Sequence, residues 1–293
     1  MATFRAPAAQ AAYIMKALQG HHLRSVGTVR NYEQGLTRVA EWTQRERLPG
    51  GLRAMTPELA IRYLEQRGQE VGQKALDMER QAMQAMMQHV TGQLAHGARI
   101  PVIKSEQAQV LTARAYTAPQ VALIAAAQTP RHGLATELAY AAGLRAHELL
   151  TLRRGEERAA DPRPALASKW QGRDGVMYTV HGKGGLVREV QLPHALAERL
   201  EAVRLDAPLA ITDRGIHYQS HYDIGGGQRW SNSVSAASER ALGWSTGAHG
   251  LRHSYAQERM AELQASLSRD AALTTVSQEM GHFRPEITET YLR

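Results

Sequence analysis

The chain has 293 residues, 43% of them hydrophobic, which is enough for two domains that each bury a core. Its 35 lysine and arginine residues against 28 acidic ones give a net charge of +7, which suits a nucleic-acid partner and fits a basic protein without one about equally. The sequence contains no run of roughly eighteen apolar residues, no signal-type apolar segment at its start and no cysteine; we therefore expect no membrane span, no disulfide and a reducing, cytoplasmic setting.

Residues 1–100 are predicted to form a helical domain. Apolar residues recur there at helical spacing in four segments that glycine or proline interrupts. The predicted helices cover residues 7–19, 25–47, 57–67 and 71–94. Residues 1–110 contain 14 lysines and arginines against nine acidic residues, so most of the net charge lies here. The pattern indicates a small basic helical domain.

The helical periodicity is lost in residues 97–116, and the linker between the domains is placed at residues 101–116. The proline at position 101 and the basic residues Arg99, Lys104 and Arg114 indicate an extended linker that lies over a polyanion. An ordinary surface connection fits the same pattern about as well. A second domain, residues 117–293, then begins at Thr117, which has a glutamine three positions later as in a capping box.

The second domain is predicted to be mainly helical with one small hairpin. Two β-patterned segments, residues 176–180 and 187–192, flank a glycine-rich turn. Residues 206–230 are predicted to form a loop. Helices are expected over residues 131–142, 193–205, 231–242, 270–280 and 285–293, with shorter ones after Thr117, around Glu148 and around His249.

Several residues of this domain have the chemistry needed to bind a phosphodiester. Arginine forks onto phosphate oxygens, which makes Arg145 and Arg252 candidates to hold the phosphate. His249 and His282 can donate hydrogen bonds or transfer protons. Glu148 lies one helical turn beyond Arg145 and could orient an arginine. The sequence therefore predicts a site for phosphoryl chemistry.

Attack on phosphorus also requires a nucleophile and an acid. Tyr291 can attack once cationic neighbours activate its hydroxyl, and Lys183, on the glycine-rich turn, can protonate the leaving oxygen. His253 is either a supporting base or, as we expect, a packed histidine. His249 and His253 have the spacing of helical metal ligands, but Gly250 stands where a zinc protease requires glutamate, so no metal site is expected.

Three further residues could contact DNA at a predicted helix start. Arg229, Ser231 and Asn232 follow a glycine-rich loop, and helix starts bind phosphate through their backbone N–H groups. A plain helix cap at Ser231 is an equally good interpretation.

Together these motifs resemble those of the tyrosine recombinase (phage integrase) family. The GLR-x-x-EL setting of its first arginine matches 143–149, and its GKGG turn matches 182–185. The H-x-L-R-H box matches 249–253, the L-G-H box matches 280–282 with methionine first, and the nucleophile motif matches 288–291. The resemblance covers about residues 112–293 in the family's order, whereas the N-terminal part carries no sharp motif.

This resemblance implies a mainly α fold and a two-domain DNA clamp. A helical core-binding domain would join an α-rich catalytic domain with a small β-hairpin sheet. Four protomers would exchange strands between two duplex sites through 3′-phosphotyrosine intermediates, without metal, ATP or another cofactor, with DNA-bending factors as accessory partners. The setting would be the nucleoid, and the outcome would be integration, excision or inversion of a mobile element. A type IB topoisomerase-like enzyme and a non-catalytic DNA-binding regulator are the alternatives.

The sequence departs from the family pattern at three places. His147 and Met280 stand where other residues are commoner. Only two residues follow Tyr291, whereas many relatives continue into a helix that docks on a neighbouring protomer. Either the sequence given ends before such a helix or assembly uses another surface.

Overall fold

The computed structural model describes residues 5–23, 26–109, 111–282 and 284–293. The chain divides into two compact units, Met1–Val110 and Leu111–Arg293. The predicted start of the second helix, at Ser25, lies outside the described residues. Within those ranges no helix has both the length and the apolar character that crossing a membrane requires.

The first unit contains the four helices predicted for it, with ends that differ from the predictions by a few residues. Their bounds are α1 (Pro7–Leu18), α2 (Val26–Arg45), α3 (Pro57–Gly68) and α4 (Gln73–Met86). A π-helical turn at Met87–Thr91 extends α4, and a 3₁₀ turn at Gly51–Ala54 precedes α3. The hydroxyl of Thr56 accepts a hydrogen bond from the Leu59 N–H at 3.3 Å and so caps the start of α3.

A buried carboxylate joins three of these helices. Glu79 on α4 accepts a hydrogen bond from the Tyr63 hydroxyl on α3 at 2.7 Å. It also pairs with Arg67 of α3 and with Arg38 of α2, each at 3.3 Å. Because a buried charge must be paired, these contacts fix the three helices against one another.

The basic segment after α4 runs along the first unit. The side-chain amide of Gln73 donates to the Ile103 carbonyl at 3.0 Å and accepts from the Ser105 N–H at 2.9 Å. Arg99 and Lys104 are exposed on this segment. Their side chains are therefore presented to solvent by a backbone that α4 holds in place.

The second unit is mainly α, as predicted. Its helices are α5 (Ala118–Ala126), α6 (Pro130–Ala142), α7 (His194–Glu201), α8 (Gly227–Leu242), α9 (Gly250–Gln264), α10 (Arg269–Glu279) and α11 (Pro285–Glu289). The predicted capping box is confirmed, because the Thr117 N–H donates to the Gln120 side chain at 2.9 Å. A 3₁₀ turn at Glu148–Thr151 replaces the short helix expected there.

The predicted hairpin is confirmed and is part of a three-stranded antiparallel sheet. Its strands are β1 (Arg153–Arg154), β2 (Val176–His181) and β3 (Val187–Leu192), in that order. The prediction of a loop over residues 206–230 is wrong. A second antiparallel hairpin, β4 (Arg204–Asp213) and β5 (Ile216–Tyr222), occupies most of it. Most of β4 is exposed, so its sequence lacks the alternation that marks a half-buried strand.

The predicted start of α8 at Ser231 is also wrong. The helix begins at Gly227, because a carboxylate oxygen of Asp213 on β4 accepts from the Gln228 N–H at 2.8 Å. Gly227 has a φ of +62°, and a Cβ there would lie 2.6 Å from the Asp213 carboxylate carbon. The cap comes from a distant strand, which the local sequence pattern does not reveal.

Candidate active site

Two arginines converge on one histidine nitrogen. Arg145 Nη2 lies 3.1 Å from His282 Nε2, and Arg252 Nη2 lies 3.2 Å from the same atom. Arg252 is completely buried and also donates to the backbone carbonyls of Gly143 and Met280. The structure thus brings Arg145 together with two residues that follow it by more than a hundred positions in the sequence.

The backbone at the end of α6 sets the position of Arg145. Helix α6 stops at Gly143, whose φ of +58° and close approach to the Tyr255 ring leave no space for a Cβ atom. The chain then turns so that both the backbone N–H and Nη1 of Arg145 donate to Glu148, at 2.8 Å and 2.7 Å. The predicted orienting role of Glu148 stays a prediction, and this geometry supports it.

Glu148 is buried between two guanidinium groups. Arg188 Nη2 and Nε donate to its carboxylate at 2.7 Å and 3.3 Å, in addition to the contacts from Arg145. Burial alone would raise the pKa of Glu148, but the positive charges of Arg188 and Arg145 outweigh it and hold the pKa well below its usual range. Glu148 is therefore ionised at neutral pH.

Arg188 is the site residue that the sequence analysis missed. It lies on β3, where Arg188, Val190 and Leu192 are buried at alternate positions. An arginine on the core face of a strand was the available signal. Its Nη1 also donates to the Glu279 carbonyl at 2.7 Å, and its Cδ lies 2.5 Å from where a Cβ on Gly281 would be, at a φ of +71°. This contact explains the glycine of the Met-Gly-His motif.

Tyr291 follows α11 and is 8% exposed. Its ring centroid lies 4.9 Å from that of His253, 5.2 Å from that of His249 and 5.3 Å from that of His282. The guanidinium of Arg252 is 5.5 Å from the same centroid. Three imidazole rings and one guanidinium therefore surround the ring of Tyr291.

The three imidazoles around Tyr291 are neutral at neutral pH. Burial, followed by the charges of Arg252 and Arg145, lowers the pKa of His282 to about 3. Burial also lowers the pKa of His253 to about 4. His249 is at an exposed position, yet desolvation of its ring and then the charge of Arg252 lower its pKa to about 3. Each ring thus has one nitrogen that can accept a proton.

The site carries excess positive charge. Burial lowers the pKa of Arg252 to about 10, so it remains a cation, and its buried Nε has no hydrogen-bond partner within the described ranges. Three guanidiniums, of Arg145, Arg188 and Arg252, face the single carboxylate of Glu148, which leaves a net charge of +2. A buried unpaired donor beside such an excess is suited to binding an anion.

Lys183 does not join this cluster. It is exposed in the 3₁₀ turn Lys183–Gly185 at the hairpin tip, where Gly184 and Gly185 have φ values of +79° and +85°. The base of the turn does adjoin the site, since a Cβ on Gly182 would lie 3.5 Å from Glu148 Oε1. The lysine therefore projects from a turn that borders the carboxylate.

The predicted DNA contacts on α8 lie in its first two turns. Arg229 and Asn232 are exposed and Ser231 is partly buried. The N–H of Gly227, the first residue of α8, donates to the Ala146 carbonyl at 2.7 Å. This bond ties the start of α8 to the segment that carries Arg145. The contact of Arg229, Ser231 and Asn232 with DNA stays a prediction.

The fold resembles solved structures of recombinases bound to DNA. The XerH site-specific recombinase in a post-cleavage complex with palindromic difH substrate has a TM-score of 0.58 at 14% identity, covering 98% of this chain and 90% of that one. A lambda integrase tetramer bound to a Holliday junction has a TM-score of 0.58 at 16% identity, covering 97% and 76%. The Tn1549 transposon integrase in complex with transposon right end DNA has a TM-score of 0.53 at 13% identity, covering 99% and 95%.

No protein-family model matches the chain, and no curated protein sequence matches it either. The structural likeness spans nearly all of the chain. The chain therefore has the fold of these recombinases and integrases, which is the fold that the resemblance of its motifs implies.

Proposed function

We propose that this chain is a site-specific DNA recombinase with Tyr291 as its nucleophile. One observation carries the proposal: the guanidiniums of Arg145 and Arg252 converge on a single acceptor position beside the buried ring of Tyr291. XerH, lambda integrase and Tn1549 integrase share the fold and are bound to difH substrate, a Holliday junction and transposon right end DNA, respectively, which supports DNA as the substrate.

The proposed reaction exchanges one phosphoester bond for another. The Tyr291 hydroxyl oxygen attacks phosphorus, its proton passes to a neighbouring neutral imidazole, and the bond to the 5′-oxygen breaks. Lys183 protonates the departing 5′-oxygen, while Arg145 and Arg252 hold the non-bridging oxygens as negative charge develops. A 5′-hydroxyl of another strand then attacks the 3′-phosphotyrosine and releases Tyr291. The bond energy is retained, so neither ATP nor a metal is consumed.

The same proposal extends to the assembly. The first unit would act as the core-binding domain, the second as the catalytic domain, and the two would close around DNA through Arg99, Lys104 and the start of α8. Four protomers on two sites would exchange strands, an arrangement that the lambda integrase tetramer on a Holliday junction supports. A DNA substrate implies a cytoplasmic, nucleoid-associated enzyme, with accessory DNA-bending factors as further partners.

Covalent trapping tests the nucleophile. Duplexes are selected from a randomised library for tight binding to the full chain and then nicked at successive positions, so that a short 5′-product diffuses away after cleavage. We expect a protein–DNA adduct that survives denaturation with the wild type and not with Tyr291→Phe. Tight binding without an adduct would favour the non-catalytic regulator, and an adduct in Tyr291→Phe would refute the assignment of the nucleophile.

The general acid has its own test. Lys183→Ala should slow cleavage by about 10²- to 10⁴-fold, because the 5′-alkoxide would leave without a proton. A duplex with a 5′-thiolate leaving group, which needs no proton, should restore the rate of this variant. A slow reaction with both leaving groups would contradict the role of Lys183.

Strand exchange separates a recombinase from a relaxing enzyme. Two differently labelled duplexes that carry the selected site should yield joined strands of mixed label. Relaxation of a supercoiled plasmid without joining between duplexes would favour the type IB topoisomerase-like alternative.

A further inference from the structure

The hydrogen bonds of His282 determine which of its nitrogens carries the proton. Arginine only donates hydrogen bonds, so Nε2, which lies within 3.2 Å of Nη2 of both Arg145 and Arg252, must be the acceptor. A neutral imidazole has a single N–H, which then lies on Nδ1. That nitrogen is 3.0 Å from the hydroxyl oxygen of Thr288, which accepts the bond.

Thr288 is placed to fix both His282 and Tyr291. Its side chain is completely buried, and its hydroxyl is the partner of His282 Nδ1. Its backbone carbonyl accepts from the Tyr291 N–H at 2.9 Å, in the last turn of the chain. Ser277 holds the backbone of His282, through bonds of 2.8 Å and 2.9 Å, but leaves the imidazole free to turn.

We propose that Thr288 is a positioning residue, whose hydroxyl holds the His282 ring in the orientation in which Arg145 and Arg252 select its tautomer. The inference rests on the proposed function for its catalytic meaning. In the free protein, Nε2 occupies the acceptor position that both guanidiniums share. A phosphate oxygen that takes that position would leave Nε2 beside it as an unprotonated nitrogen that can accept a proton.

The opposite tautomer would be incompatible with this arrangement. An Nε2–H would point at two guanidiniums that have only N–H groups to offer, and both arginines would lose an acceptor. Nδ1 would then face the Thr288 hydroxyl as an acceptor, which a hydroxyl also permits. The two arginines therefore select the tautomer, and Thr288 holds the ring where that selection operates.

Two substitutions separate the hydroxyl from the shape of the side chain. Thr288→Val keeps the branched shape in its buried position and removes the hydroxyl, whereas Thr288→Ser keeps the hydroxyl and removes a methyl group. An effect of cavity formation would appear in the serine variant, and an effect of the hydrogen bond would appear in the valine variant. The pair therefore distinguishes positioning from simple packing.

Nitrogen NMR of the full chain labelled with ¹⁵N-histidine reads the tautomer without any substrate. The His282 signals are identified by their loss in His282→Asn. We expect a protonated Nδ1 and an unprotonated Nε2 in the wild type and in Thr288→Ser, and averaged or reversed signals in Thr288→Val. A protonated Nε2 in the wild type, or an unchanged tautomer in Thr288→Val, would overturn the proposal.

Cleavage kinetics provide the second readout. On the nicked duplex that traps the wild type, Thr288→Val should cleave about tenfold more slowly, as the loss of one oriented hydrogen bond implies, and Thr288→Ser should stay close to the wild type. Equal rates in all three proteins would refute the positioning role and leave the recombinase assignment intact. A wild type that forms no adduct would refute that assignment, while the NMR result would still decide the tautomer.

Discussion

The second unit buries two glutamates among arginines, and the two clusters differ in how completely their charges and donors are matched. The Glu279 carboxylate on α10 accepts a hydrogen bond from the Tyr255 hydroxyl at 2.9 Å and one from the backbone N–H of Trp170 at 3.0 Å. It also accepts three hydrogen bonds from the Arg259 guanidinium. Arg259 uses its remaining nitrogen on Glu262 at 2.9 Å. Two carboxylates face one buried arginine and the Arg173 that binds Glu262, so charges balance.

In the Glu148 cluster, by contrast, positive charges outnumber negative ones and one donor has no acceptor in the described part of the chain. One carboxylate faces the guanidiniums of Arg145, Arg188 and Arg252, and Arg252 Nε has no acceptor in the described part of the chain. The backbone carbonyl of Glu279 links the clusters, because it accepts from Arg188. The difference indicates that a balanced cluster supports the fold, whereas a cluster with surplus cations and donors is arranged for a ligand.

The largest expected effect on stability comes from the balanced cluster. Glu279→Gln leaves the charge of Arg259 buried without its main partner, so the free energy of unfolding should fall by about 3–5 kcal/mol. Tyr255→Phe, which removes one donor and no charge, should cost about 1–2 kcal/mol. Urea titration measures both. Equal losses in the two variants would contradict the structural role of the ion pair.

The unmatched cluster should respond to added anion. Glu148→Gln should lose about 3 kcal/mol of unfolding free energy at low salt, because three guanidiniums then repel one another. Sulfate should restore about 2–3 kcal/mol of this once it saturates the site. Glu279→Gln serves as the control, since it experiences the same general salting effect. Equal recovery in both variants would remove the distinction between the clusters.

As the pH falls, protonation of buried histidines should lower the free energy of unfolding before the carboxylates are protonated. The pKa values of His282 and His253, lowered to about 3 and about 4 by burial, lie below the ~6.5 of an unfolded histidine. Their stabilising contribution is therefore complete above pH ~6.5 and is lost as pH falls toward the folded values. Each histidine should add about 1.4 kcal/mol per pH unit to the slope of the free energy of unfolding against pH, between pH 6.5 and 4.5. His282→Asn and His253→Asn should each remove one such increment; an unchanged slope would contradict these shifts.

The smallest difference between paired variants is expected at Gly281, the glycine between the two clusters. Gly281→Ala forces a side chain into a φ of +71° and against Arg188, whereas Gly172→Ala imposes similar strain, at +74°, in open space. We expect about 1 kcal/mol for Gly172→Ala and about 1–2 kcal/mol more for Gly281→Ala. Of these two substitutions, only Gly281→Ala should reduce the gain in unfolding free energy that sulfate produces. Equal losses in both variants would show that Arg188 does not restrict this position.

The residues that could be predicted from the sequence lie in short motifs or periodic helices. Arg145, Glu148 and the His249–His253 box were found because their spacing along the chain is itself the signal. Arg188 and the cap of α8 were missed because their partners lie 40 and 15 residues away along the chain, and only the folded structure brings them together. The balanced Arg259–Glu279 pair, 20 residues apart on two helices, was missed for the same reason.

Mass mapping of the trapped complex tests the central claim most directly. Trypsin should release residues 270–293 as one peptide, because proline follows Arg284 and blocks cleavage there, and Tyr291 is the only tyrosine in it. After nuclease digestion, we expect the nucleotide mass on this peptide and its fragmentation to place the phosphate on Tyr291. A nucleotide on any other residue of the wild-type adduct would contradict the account.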